Sequence, residues 1–398
     1  MAAKVKLRPD QKHRVTAGHP WVFESEVLSI EGSFQPGDVV DVLDSRGRFV
    51  GKGYINPSSQ ILVRLLTRED ECIDEEFIVR RLESAILLRK QIYGGKWPPE
   101  STGIGARLVF SEADFLPGLI VDDFGGHAVF QTLTLGMERW KPAVIRGIID
   151  LVGPKGIYER NDAPVRSLEG LPEIAGFVGR PFDPLVEIDE NGVRHVVDLA
   201  KGQKTGYFLD QQENRLAVRW LAKGKKILDV FSYSGGFALS LALGGAEYVR
   251  AVDVSEAALD LFQASIKLNK FETEFQLRVG NAFDELRDYD RKGDLFDVVI
   301  LDPPAFARSR RAVGRAVAGY KEINLRAIKV LRPGGFLVTS SCSQHLYPAE
   351  FESVVEDAAR DTGRVLRLLE RRGQARDHPV LPGVPETEYL KCRIYQVL

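Results

Sequence analysis

The stretch "KKILDVFSYSGGFALSLALGGAEYVRAVDVSEAALDLFQASIKLN", Lys225 to Asn269, decides the fold class. "KILDVF" is a short apolar run between lysines and a turn, the pattern of a strand buried on both faces of a parallel sheet. "SYSGG" is a tight turn carrying glycine, and "FALSLAL" starts a helix. "YVRAVDVS" is the next strand and closes on Asp253. Strand, turn, helix and strand make the repeating unit of an open α/β sheet, whose ligands sit beyond the carboxyl ends of its strands.

The turn and its flanking acids narrow the ligand. A glycine turn at a strand end lets backbone approach a bound molecule, and an acid closing the following strand suits ribose hydroxyls. The dinucleotide fingerprint GxGxxG is absent. The turn reads Ser232-Tyr233-Ser234-Gly235-Gly236, with Asp229 at the strand end before it. An acid there disfavours a pyrophosphate and favours a cationic ligand without phosphates. S-adenosylmethionine, with its ammonium and sulfonium, fits better than NAD. Asp229, Ser232, Gly235 and Asp253 are therefore candidate cofactor contacts.

Two later strands extend the same edge. "TEFQLRVGNAFDEL" presents Asn281 and Ala282 where an adenine edge would lie. "LFDVVILDPPAFARS" is a continuous apolar strand ending in Asp302-Pro303-Pro304. Two prolines cannot continue a strand and turn the chain rigidly. On its own Asp-Pro-Pro is also a simple stop signal. After Asp229 and Asp253 at successive strand ends, a functional Asp302 is the stronger reading.

The remaining chain bounds the protein. At 398 residues, two or three compact units are expected. Residues 1–72 are β-rich, with "GDVVDVLDSRGRFVGKGYINP" alternating apolar and polar residues around turns and "QILVRLLT" as a further strand. Residues 73–185 hold a helix over "EEFIVRRLESAILLRKQI" and a hairpin in "GLIVDDFGGHAVFQTLT" around Gly125-Gly126. A helix in "RWKPAVIRGIIDLV" and a strand near "GIYERN" complete an α+β segment. "EGLPEIAGFVGRPFDPL" reads as its exit linker. From 186 to 398 the alternation of strand and helix indicates a parallel α/β domain.

The formal net charge of −2 argues against indiscriminate coating of nucleic acid, so any such site is a local patch. Cys72, Cys342 and Cys392 are too few and too scattered for a disulfide framework or a zinc site, and no metal is expected. The polar N-terminus has no signal-peptide core, and no run reaches the length of about 20 apolar residues that spans a bilayer. The expectation is a cytoplasmic protein without a membrane partner.

At this point the motifs resemble a known family. "DVFSYSGGF", "AVDVS", "LDPPAF" and "SCS" resemble those of class I RNA methyltransferases. "LAKGQKTGYFLDQQENR", Leu199 to Arg215, is similar to one branch, the bacterial ribosomal RNA large subunit methyltransferase I group. "GHPWVF" and "GKGYINPSSQILVRLLT" resemble the PUA RNA-binding module that begins those proteins. The resemblance implies an N-terminal PUA β-barrel, a central α+β domain and a C-terminal Rossmann-like methyltransferase domain. It implies methylation at carbon 5 of a cytosine in 23S ribosomal RNA. Cys342 takes the nucleophile position, and Asp302 the acid that holds the base. Lys204, Phe208 and Asp210 fall near the cofactor. The oligomeric state is left open, a homodimer being one option.

The chemistry such a reaction needs matches those residues. Carbon 5 of cytosine is a poor nucleophile until a thiolate adds to carbon 6. The thiol therefore has to ionise beside a strand-end pocket. Asp302 would hydrogen-bond or protonate ring nitrogen 3, stabilising charge that develops as sulfur adds. In the other large group of RNA cytosine methyltransferases a second cysteine follows the strand-end proline and assists release. Here "DPPAFARS" has none, which leaves the release base open. His345, three residues after Cys342, reads as a surface histidine before a proton carrier. Cys72 and Cys392 read as small structural hydrophobes.

"ARSRRAVGRAVAGYK", Ala307 to Lys321, carries Arg308, Arg310, Arg311, Arg315 and Lys321 and no acid. A basic run leaving the active-site edge is placed to grip RNA phosphates. Lys4, Lys6, Arg8, Lys12 and Arg14 add charge near Trp21 and Phe23, aromatics that read as core. Two alternatives stand beside the cytosine reading: an RNA guanine-nitrogen methyltransferase, whose chemistry needs no thiol, and a non-catalytic RNA-binding or assembly factor. A NAD oxidoreductase is more distant.

Overall fold

A computed structural model describes residues 3–9, 14–94, 103–307 and 310–398. They form two compact units. The first comprises Met1–Ile188, Val197–Leu209 and Arg376–Thr387, and the second Asp189–Val196, Asp210–Ala375 and Glu388–Leu398.

The first unit begins with β1 (Lys4–Leu7), β2 (Trp21–Phe23), β3 (Val27–Glu31), β4 (Val39–Leu43), β5 (Phe49–Ile55) and β6 (Ile61–Thr67). They form one sheet in the order β2-β6-β5-β4-β1-β3. Only β1 and β4 pair in parallel. The alternation read in the sequence turns Val5, Val22, Val40, Val42 and Val63 into a common core. After α1 (Glu75–Ile92), capped by Asp74, come β7 (Gly105–Phe110), β8 (Leu119–Phe124), β9 (His127–Thr132), α2 (Leu135–Arg139), α3 (Lys141–Val152), β10 (Gly156–Asn161) and β11 (Ile174–Val178). Their sheet runs β11-β10-β9-β8-β7. Gly125 and Gly126, at φ 63° and 92°, make the tight turn of the β8–β9 hairpin. Tyr54 of β5 joins the core beneath this second sheet, and its hydroxyl donates to the Pro117 carbonyl at 2.7 Å. The two sequence segments thus share one unit. The expected exit linker also contains a strand: β11 pairs antiparallel with β10 along its whole length.

A ribbon of β12 (Leu185–Glu190) and β13 (Val193–Asp198) follows, and its tip opens the second unit. Asn191 and Gly192, at φ 54° and 85°, form the tip. Then come α4 (Gln212–Ala217), β14 (Lys226–Val230), α5 (Gly236–Leu243), β15 (Tyr248–Asp253), α6 (Glu256–Leu268), β16 (Glu274–Val279), α7 (Ala282–Lys292), β17 (Phe296–Leu301), α8 (Val313–Lys329), β18 (Leu331–Ser341), α9 (Pro348–Asp361), β19 (Leu366–Arg372) and β20 (Lys391–Val397). The seven-stranded sheet runs β16-β15-β14-β17-β18-β20-β19. The strands from β16 to β18 are parallel, and β20 runs antiparallel to both its neighbours. Alternate residues face two helical layers. Leu228, Val230, Val299 and Leu301 meet Leu286, Tyr320 and Phe351, while Ile227, Val249, Val298 and Ile300 meet Phe237 and Phe262. The order reverses at β14, so its carboxyl end is a topological switch point.

Within this unit Arg215 and Glu190 form a buried two-pronged pair, with both N–O distances 2.6 Å. Removing one partner strands the other charge, which costs about 3–5 kcal/mol. Arg215→Leu is expected to lower stability by that amount in urea unfolding. Arg215→Leu combined with Glu190→Leu should recover most of it, and a single variant as stable as the wild type would refute the assignment.

Candidate active site at the carboxyl ends of the parallel strands

At the end of β14, Asp229 is 1 % exposed. Its Oδ2 accepts the Ala238 N–H of α5 at 3.1 Å, while Oδ1 is buried without a partner. The buried Ser232 hydroxyl has none either. Buried polar atoms are nearly always paired, so two such atoms in one turn mark a place for a ligand. Burial pushes the Asp229 carboxyl well above its ordinary range; the Ala238 N–H opposes this, and the charges of Asp302 and Asp253 reinforce it.

The turn itself is strained and externally held. Phe231, Tyr233 and Gly235 have φ of 64°, 48° and 81°. Asp253 Oδ2 accepts the Tyr233 N–H at 2.8 Å, and its Oδ1 accepts the Ser255 N–H at 2.9 Å. This carboxylate thereby ties the end of β15 to the loop after β14. A side-chain carbon at Gly235 would lie 2.4 Å from the Phe262 ring, so packing alone accounts for this glycine. Asn281 is exposed and caps α7, accepting the Phe283 N–H at 2.9 Å. The neighbouring Gly280 donates to the Asp253 carbonyl at 2.9 Å, which sets Asn281 beside that acid.

Beyond β17, Asp302 is half-buried, and its Oδ1 accepts from Gln211 Nε2 at 2.9 Å. Gln211 is held in turn by Asn214 at 2.6 Å, and Asn214 by Arg372 at 2.9 Å. Cys342 follows directly on β18 and is half-exposed, with its Sγ 4.0 Å from the Pro303 carbonyl oxygen. Ser341 and Ser343 both hydrogen-bond the Tyr320 hydroxyl at 3.0 Å, fixing the chain on either side of the thiol. The buried Lys391 donates to the carbonyls of Ser343 and Tyr389 at 2.7 and 2.9 Å. Burial drives its ammonium down to about 8, against the charge of Cys342, which raises it.

The second unit thus gathers Asp229, Ser232, Asp253, Asp302 and Cys342 at one sheet edge. Asp210 is buried in the same unit and tethers the C-terminal segment, accepting from the Tyr389 hydroxyl at 2.6 Å. Lys204 and Phe208 belong to the first unit, where the ammonium lies 4.7 Å from the ring centre. Arg308 lies outside the described residues. Arg310 stands in a short turn before α8, Arg311 and Arg315 are exposed, and Lys321 is paired with Asp361 at 2.8 Å. Two cysteines behave differently from each other. Cys392 is buried and its thiol is pushed up to about 12 by burial, whereas Cys72 is exposed, contrary to its reading as a small core residue. Among the described residues no group of His, Cys, Asp and Glu could hold a metal, and no helix is long and apolar enough to cross a membrane.

Comparison with known proteins agrees with this geometry. A PUA-like domain family matches residues 5–68, and an S-adenosylmethionine-dependent methyltransferase family matches residues 174–396. Ribosomal RNA large subunit methyltransferase I of Alteromonas mediterranea is 40 % identical over 100 % of this chain and 99 % of its own. The chain belongs to the ribosomal RNA large subunit methyltransferase I family. The Cronobacter sakazakii member is 38 % identical over 98 % of both chains. A solved Streptococcus mutans protein, designated a SAM-dependent methyltransferase, matches the fold with a TM-score of 0.83 over 100 % of both chains at 19 % identity. A second structure, designated a methyltransferase complexed with SAH, gives 0.84 at the same identity and coverage. The fold is thus a PUA-like N-terminal domain with a Rossmann-like methyltransferase domain, and its cofactor is S-adenosylmethionine. The acidic, phosphate-averse edge around Asp229 suits that cationic molecule.

Three residues of the site escape sequence reasoning: Gln211, Tyr320 and Lys391. Gln211 lies within the family-like stretch beside Asp210, and only its contact with Asp302 reveals its work. The different burial of the cysteines has a direct readout. In native protein at pH 7.5, iodoacetamide should label Cys72 and Cys342 while Cys392 stays unlabelled until denaturation, as peptide mass spectrometry would report. Native labelling of Cys392 would contradict its placement.

Proposed function

We propose that the protein methylates carbon 5 of a cytosine in 23S ribosomal RNA, with Cys342 as the covalent nucleophile and Asp302 as the acid holding the base. The observation that carries this reading is a half-exposed thiol 4.0 Å from the carbonyl of Pro303, the residue that follows Asp302. A thiol is what separates this chemistry from methylation of a ring nitrogen. The names of the relatives, which are ribosomal RNA methyltransferases, support the substrate class.

S-adenosylmethionine supplies an electrophilic methyl group on a sulfonium. Asp229, Ser232, Asp253 and Asn281 are the residues of the second unit argued to hold it, with Asp210, Gly235 and Asp302 at their edges; Lys204 and Phe208 are candidates on the family resemblance alone. The Cys342 sulfur donates an electron pair to carbon 6, and the ring electrons move toward carbon 5, which becomes nucleophilic. Asp302, oriented by Gln211, in its protonated form donates to ring nitrogen 3, where negative charge gathers. Once carbon 5 carries the methyl group, loss of its proton restores the double bond and expels the Cys342 thiolate. The target cytosine has to be unpaired or extruded. The segment 1–72 is assigned to RNA binding, 73–185 to the central domain, and 186–398 to the methyltransferase in the cytoplasm. Arg308, Arg310, Arg311, Arg315 and Lys321 are the candidate phosphate contacts near the site.

Two experiments test this reading. Undermodified 23S RNA incubated with the cofactor and wild-type protein should yield 5-methylcytidine by nucleoside mass spectrometry, and Cys342→Ala should yield none. Full activity in Cys342→Ala would end the covalent reading, and methylguanosine would end the cytosine assignment. For the cofactor, a raised Asp229 has to lose its proton before it can face a cation. Affinity for S-adenosylmethionine should therefore climb with pH above the ordinary carboxylate range, by at most about tenfold per pH unit for one proton. Calorimetry on Asp229→Asn should show weaker binding with that slope removed; an unchanged slope would place the titration elsewhere.

A further inference from the structure

The nucleophile of the proposed reaction has a cation in its immediate frame. In the β18–β20 pair Lys391 stands opposite Ser341, the residue before Cys342. Its ammonium donates to the carbonyl of Ser343, the residue after Cys342, at 2.7 Å. A third anchor is the Tyr389 carbonyl at 2.9 Å, so the ammonium sits in a fixed, 3 % exposed position. No carboxylate lies within ion-pairing distance of it among the described residues. A buried ammonium bonded only to neutral carbonyls is costly unless a negative charge arrives near by. The Cys342 thiol is the group whose charge most favours the Lys391 ammonium, ahead of the more weakly acting Glu388.

We propose that Lys391 is a positioning residue for the nucleophile: its ammonium fixes the chain at Ser343 and keeps the Cys342 sulfur as a thiolate at neutral pH. The inference rests on the covalent role of Cys342 proposed above. An adjacent cation is the common way in which a protein lowers a thiol's proton affinity. The step is a proton leaving sulfur for solvent, with no oxidant or further reactant. Lys391 supplies charge and hydrogen bonds and does not touch the base. Other ionisable groups face the same corner. Asp302 follows β17, Tyr320 of α8 contributes a neutral hydroxyl, Arg393 of β20 adds positive charge, and His345 lies in the loop itself.

The test reads the thiol and not the methyl transfer. Iodoacetamide labelling of Cys342, followed at its own peptide from pH 6 to 10, reports the thiolate fraction. Lys391→Gln keeps donors for the two carbonyls but removes the charge. Loss of one adjacent cation raises a thiol by about one unit or more, so labelling at pH 7 should slow by about tenfold. The two profiles should converge near pH 10, where both thiols are ionised. Lys391→Arg should stay within about threefold of the wild type, since charge and donors persist. A Lys391→Gln profile that overlays the wild type overturns the proposal, and so does an arginine variant as slow as the glutamine one. Should the glutamine variant not fold, the wild-type profile still decides: a Cys342 midpoint at or above the free-thiol value of about 8.5 overturns it as well. Methylation by Cys342→Ala would defeat the covalent reading whatever these profiles show, whereas an overlaid profile beside an inactive Cys342→Ala defeats only the role of Lys391.

Discussion

The second unit is organised around a concentration of negative charge that it cannot neutralise by itself. Asp229, Asp253 and Asp302 stand at the ends of three adjacent parallel strands, and the first of them is fully enclosed with one oxygen unpaired. Burial raises the proton affinity of Asp229, and the charges of Asp302 and Asp253 raise it further. The edge is therefore held in readiness for a cation. The backbone serves the same end: Phe231 and Tyr233 occupy left-handed conformations that cost about 1–3 kcal/mol each, and Asp253 anchors the loop from outside by accepting the Tyr233 N–H. Gly235 lets the loop turn into α5 over the Phe262 ring, and α5 in turn presents the Ala238 N–H to Asp229. Strain, packing and capping converge on one carboxyl group.

Much of this edge was legible in the sequence because parallel strands are short, apolar and punctuated. "YVRAVD" and "FDVVILD" each end on the acid that the structure places at the sheet edge, and "KILDVF" carries its acid, Asp229, two residues before its end. Which helical layer each strand residue faces, Leu228 one and Ile227 the other, is a finding of the structure. The β8–β9 hairpin was legible from its glycine pair for the same local reason. The ribbon tip Asn191-Gly192 carries an equally local signal, a hairpin dipeptide hidden in a stretch read as the start of strand–helix alternation. β11 was hidden by its glycines and the prolines around it, which read as a linker until β10 supplies a partner.

What could not be read depends on contacts between distant segments. Gln211 reaches Asp302 across 91 positions, and Lys391 reaches Ser343 across 48. No periodicity encodes either. Lys391 becomes visible only because β20 inserts antiparallel between β18 and β19, which sets its register against Ser341. Gly235 has a second cause beside the ligand approach read in the sequence, since the Phe262 ring excludes a side chain there. A glycine at a turn does not by itself say which neighbour excludes the side chain.

The two thiols on the β18–β20 pair show how position decides chemistry within one sheet. Cys392 follows Lys391 directly, yet successive residues of a strand face opposite sides. Its side chain is buried in the apolar layer with Val338 and Ile394, and burial, with Asp302 adding to it, pushes the thiol up to about 12. Cys342 lies one residue past the end of β18, half-exposed, between two serines tied to Tyr320. Asp302 acts against ionisation of the Cys392 sulfur. On the Cys342 side a cation, Lys391, is fixed by the Ser343 carbonyl. The antiparallel return of β20 delivers that cation, while Cys392, Ile394, Tyr395 and Val397 of the same strand fill the core.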